Sequence, residues 1–137
     1  MSTAAAVKPL DVWVNDLVDD IFFQPDDALA VKSFDESISP AIYIDVNGKK
    51  LSREIYLGIV RGYRKEHVGA FVDNPTLAMS VDDKEKQTGV VAQLGKFSSV
   101  NKATGKDVRA TGLTICKVEI VDGKRMLTSL TEVQAND

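Results

Sequence analysis

The sequence predicts an α+β domain in which three N-terminal helices pack on a strongly curved antiparallel sheet, forming a cone with an internal pocket. Three observations predict it. Apolar residues in the first half recur mainly at three- and four-residue steps, the helical period. From Phe71 onward they alternate between turn signals, as strands do. Apart from one early strand the two regimes do not interleave, which gathers the helices on one face of the sheet. Long strands in such a sheet twist and curl, and a curled sheet closed by helices leaves a conical hollow. A length of 137 residues suits one domain. We expect a flexible start over residues 1–8 and a single domain over residues 9–134.

Leu10, Trp13, Val14, Leu17, Val18, Ile21 and Phe22 form one stripe on a first helix, with Asp16, Asp19 and Asp20 largely off it. Gln24-Pro25-Asp26-Asp27 interrupts, because proline is tolerated at a helix start but not inside one. Leu29, Ala30, Val31 and Phe34 support a short second helix. The stretch Ala41 to Val46 then alternates, with Ile42, Ile44 and Val46 on one face and Tyr43 and Asp45 on the other. Asn47-Gly48 turns the chain, and Ser52 caps a third helix through Ile55, Ile59, Val60 and Tyr63. Arg61, Arg64, Lys65 and His67 sit near its end, where cations are favoured. Turn signals follow at Asn74-Pro75, Asp82-Asp83, Ala103-Thr104-Gly105 and Asp122-Gly123. Between them lie two long strands, Gly89 to Val100 and Asp107 to Val121.

Seventeen basic against 20 acidic residues give a net charge of −3. That balance argues against nucleic acid as a partner and gives no polybasic membrane anchor. No apolar run is long enough to span a bilayer, and the opening residues do not read as a secretory signal. The expected location is cytoplasmic. Cys116 is the only cysteine and His67 the only histidine, so neither a disulfide nor the usual zinc ligand set is available. We expect no metal and no cofactor.

The order helix, helix, strand, Asn-Gly turn, helix and long strands resembles the SnoaL-like, ketosteroid isomerase-like branch of the nuclear transport factor two-like superfamily. The resemblance spans roughly Pro9 to Val133 and rests locally on Tyr43-Ile44-Asp45-Val46-Asn47-Gly48 and Val118-Glu119-Ile120-Val121-Asp122-Gly123-Lys124. It implies a cofactor-free isomerase, cyclase or dehydratase acting on a small hydrophobic, carbonyl-bearing molecule of polyketide or terpenoid type. In the isomerases a strand-end aspartate at the place of Asp45 removes a proton beside a carbonyl, and an apolar cavity would raise its basicity. The alternative for Asp45 is a cap on the Asn47-Gly48 turn.

Trp13 falls near a tyrosine, and Cys116 near a protonated aspartic acid, of those isomerases, and these two changes weigh against steroid isomerisation itself. Scytalone-type dehydration needs two histidines, and the epoxide hydrolase pairing lacks its carboxylate because Thr111 stands two places after Arg109. Trp13, Leu17, Tyr43, Tyr56, Tyr63 and Cys116 are the expected substrate-binding residues; the tyrosines combine apolar area with one polar tip. Val90, Ala92 and Leu94 alternate with Val91 and Gln93, so the sheet carries apolar residues on both faces. This predicts a homodimer through the sheet. The rival function is a non-catalytic small-molecule-binding or dimeric scaffold protein.

Overall fold

A computed structural model of the chain describes residues 7–137. The start expected to be flexible therefore lies outside the described residues except for Val7 and Lys8. Lys8 is held, its ammonium 2.6 Å from Asp16 and its carbonyl accepting from Arg125 at 2.7 Å.

Helix α1 runs Leu10–Val18 and continues into a π-helical turn, Asp19–Phe23. The amide of Gln24 donates five residues back to the Asp19 carbonyl at 2.9 Å. The sequence predicts one uninterrupted stripe here; the wider turn rotates it, and Pro25 ends it. Helix α2 spans Asp27–Ser37, capped by Asp26, whose carboxylate accepts from the amides of Ala28 and Leu29. Helix α3 spans Arg53–Glu66, with the Ser52 hydroxyl accepting from the Ile55 amide as expected. Arg64 is buried rather than a solvated helix end. Its guanidinium meets Asp27 at 2.8 Å and donates to the carbonyls of Ile21 at 3.0 Å and Gln24 at 2.7 Å. One side chain thereby ties α3, α2 and the π-helical turn together.

Among the described residues seven strands form one sheet: β1 Ile38–Val46, β2 Lys49–Leu51, β3 His67–Asp73, β4 Thr76–Asp83, β5 Thr88–Asn101, β6 Asp107–Val121 and β7 Lys124–Asn136. The order is β2-β1-β7-β6-β5-β3, with β4 also pairing β5. All pairings are antiparallel but one: β1 runs parallel to β7. His67 closes α3, its amide donating to the Tyr63 carbonyl, and also opens β3, its ring stacked 5.3 Å from that of Tyr63.

The helices cover the inner face of the curled sheet. Leu10, Val14, Leu17, Phe34, Ile44 and Val118 are buried together there. Burying such side chains stabilises the fold by about 2 kcal/mol each. Val91 and Gln93 point inward and Val90 outward, as the alternation predicts.

Candidate functional site

Between the helices and the inner sheet face lies a cavity of about 220 Å³. Strand register builds its floor row by row. Ile44 pairs Leu130, Leu130 pairs Cys116 and Cys116 pairs Val91, an apolar row across four strands. The next inward row is Val46, Glu132, Thr114 and Gln93. Beyond it come Gln134, Gly112 and Gly95. Side chains alternate faces along a strand, so every second residue of these strands reaches the hollow.

Leu17, Tyr56, Tyr63 and Cys116 line this cavity. Three other expected site residues do not. Asp45 pairs Thr131, which pairs Ile115; this row lies on the outer face. Its carboxylate accepts from the Gly48 amide at 3.0 Å and sits 3.5 Å from the Tyr43 hydroxyl. The cap on the Asn47-Gly48 turn is therefore where the carboxylate is engaged, and Asp45 does not project into the cavity. Tyr43 shares the outer face, 43% exposed, with the Lys50 ammonium 5.1 Å over its ring. Trp13 packs against the core but off the cavity wall, under the Arg125 guanidinium at 5.5 Å.

The acid that does face the cavity is Glu132. Burial lifts its pKa above the ordinary glutamate value, and no cation or hydrogen bond draws it back down. Its charge is felt by two neighbours. The Tyr56 hydroxyl is held far above the usual phenol range, by burial first and then by Glu132 and Cys116. The Cys116 thiol is pushed up to about 12, again by burial first and Glu132 second, with a Thr114 hydrogen bond opposing. Both therefore stay protonated beside the carboxyl. A basic oxygen flanked by neutral donors can accept a proton from a bound molecule while a donor steadies the charge left behind.

An aromatic wall completes the enclosure. The π-helical turn delivers Phe22 and Phe23, and Phe23 lies edge-on to Phe71 with ring centroids 4.9 Å apart. Phe23 also meets Phe97 at 6.2 Å and Tyr63 at 6.3 Å. The Tyr63 hydroxyl shares a 2.6 Å hydrogen bond with Ser99, and burial raises its pKa. At the far end, buried Gln93 donates to the Asp11 carbonyl and to Thr76, both at 3.4 Å. No group of three or more His, Cys, Asp or Glu side chains among the described residues is arranged to hold a metal. No helix among them is long and apolar enough to cross a membrane.

A bulge conceals Glu132 from the sequence pattern. Leu127 and Leu130 both face inward although they stand three positions apart, an odd step. The β6–β7 register slips between Lys117 and Val118, leaving a bulge opposite. Strict alternation from Leu127 would have sent Glu132 outward; the extra residue reverses the parity. The pattern Leu130, Glu132, Gln134, counted alone, carries the signal.

Solved structures match this architecture over almost the whole chain. A conserved protein from Planctomyces limnophilus superposes with a TM-score of 0.69 at 8% identity, covering 93% of each chain. A proposed polyketide cyclase from Pseudomonas putida gives 0.62 at 12% identity over 91% of this chain and 90% of that one. A proposed SnoaL-like polyketide cyclase from Jannaschia gives 0.60 at 9% identity over 98% and 91%. The chain has the SnoaL-like, nuclear transport factor two-like fold. No family model matches the sequence, and no curated protein does. At such identities the SnoaL-like likeness is one of fold, and the chemistry has to be argued from this chain's own cavity.

Proposed function

We propose that this protein is a cofactor-free catalyst of proton transfer on a small hydrophobic carbonyl compound, with Glu132 as the proton shuttle. The observation that carries the reading is a carboxyl of raised pKa, without an internal cation, set in a mostly apolar cavity. The Glu132 carboxylate takes a proton from the carbon next to the carbonyl. The C–H electron pair moves into the enolate, and Tyr56 donates a hydrogen bond to its oxygen. Returning the proton at another carbon isomerises the molecule. Attack of the enolate carbon on a second carbonyl, or loss of a β-hydroxyl, gives cyclisation or elimination from the same intermediate. Support comes also from structural relatives described as proposed polyketide cyclases.

The test is exchange of α-protons into heavy water by a panel of cyclic enones, followed by NMR. Glu132→Gln should lower the rate by about 10²- to 10⁴-fold, the usual contribution of a positioned general base. Asp45→Asn should leave it within about twofold, as expected of a residue outside the cavity. A Glu132→Gln protein that folds and retains full exchange would sink the proposal.

A second reading concerns the outer sheet face. Val90, Leu113, Ile115 and Val133 are exposed there on three adjacent strands. An apolar patch of this kind fits a face-to-face homodimer. That assembly would suit the catalytic reading and equally a binding protein that uses the same cavity without turnover.

A further inference from the structure

The third cavity row contains two bare backbones side by side. Gly95 of β5 pairs Gly112 of β6, and both line the hollow. Neither has a positive φ, so conformational need does not explain them. Space does. A Cβ built on Gly95 would sit 3.2 Å from both the Asn74 amide oxygen and the Phe71 ring, tighter than ordinary contact. One on Gly112 would reach only normal contact, 3.7 Å from the Phe97 ring and 3.8 Å from Glu132 Oε2. Gly112 could therefore carry a side chain without strain, and that side chain would stand directly beside the carboxyl.

Phe71 and Asn74 fill the space above Gly95, so the bare peptide faces the hollow at Gly112, between the rings of Phe71 and Phe97 and beside Glu132. Planar peptide groups and ring edges favour a flat guest, because a puckered one leaves gaps and loses dispersion contacts. The hollow measures about 220 Å³. Pockets for drug-sized ligands run from about 300 Å³ upward. The space thus favours one or two fused rings over a four-ring skeleton.

We propose that the bare backbone at Gly112, with Phe71 packed over neighbouring Gly95, is a slot selecting planar one- or two-ring substrates and setting their edge against Glu132. The slot deepens the proton-transfer reading and rests on it for what happens to the bound molecule. Its own test needs only binding. Phenol, 2-naphthol and 1-hydroxypyrene stand in for the enol forms of one-, two- and four-ring ketones, with calorimetry as the readout. The wild type should bind 2-naphthol at least tenfold more tightly than 1-hydroxypyrene, about the discrimination a shaped apolar pocket supplies. Gly112→Ala should weaken 2-naphthol about tenfold or more and phenol by less than about threefold, and Gly112→Val should abolish 2-naphthol binding. Unaltered 2-naphthol affinity in both variants overturns the slot, as does a wild type that binds the four-ring probe best or binds none. Loss of exchange in Glu132→Gln with an indifferent Gly112 would leave the carboxyl's role standing and remove only the slot.

Discussion

Two acidic residues divide what a reading of the sequence assigns to one. Asp45 was legible as a strand-end carboxylate before a turn, and its binding of the Gly48 amide was open as one of two readings. Parity on β1 already separated it from Ile44 and Val46, the side on which the cavity lies. Glu132 was hidden by a bulge, which no local composition announces. Its buried carboxyl has a consequence for stability. The folded state binds the proton more tightly than the unfolded chain, whose value lies near 4.5. Between the two pKa values the native state holds more protons, so stability falls as pH rises through that window. Glu132→Gln should flatten this limb and leave the protein at least as stable at neutral pH. Denaturant midpoints across the window measure it; a parallel profile in the variant would show that Glu132 pays no burial penalty.

Elements differ in how far along the chain their determinants lie. Caps at Ser52 and a strand over Asp107–Val121 depend on neighbours a few residues away, and both are present. The π-helical turn, the buried Arg64 and the parallel β1–β7 pair depend on residues far along the chain. Arg64 looked like one of several cations near a helix end. Its three long-range hydrogen bonds to Asp27, Ile21 and Gln24 had no trace in spacing. Replacing Arg64 with Ala strands two carbonyls and loosens the turn carrying Phe22 and Phe23. We expect a loss of about 3 kcal/mol, the order for two carbonyls deprived of a charged donor. Chemical denaturation checks the magnitude. An Arg64→Lys protein should recover only part, because one ammonium cannot reproduce the planar fork.

For the molecule as a whole, the helix-then-strand order announced both the layers and the enclosed hollow. The outer face is the part still open to experiment. If Val90, Leu113, Ile115 and Val133 meet a second copy, sedimentation will return the mass of two chains. Ile115→Lys, at 45% exposure, should then return one while the α-proton exchange persists. A charged side chain in an apolar interface opposes association, yet on the free monomer it is solvated. A wild type that sediments as a single chain removes the dimer.

The parallel pair also orders events in time. Strand β1 is made before the other strands among the described residues, and its neighbour β7 after them. Chains emerge from the ribosome N-terminus first. Everything through Gly123 must be translated before the opening strand finds its mate, and joining them closes a long loop against entropy. Until then the nascent polypeptide has its helical roof but lacks one wall and the acid that wall bears. A chain interrupted after Gly123 should therefore show no α-proton exchange, and the same NMR measurement checks it.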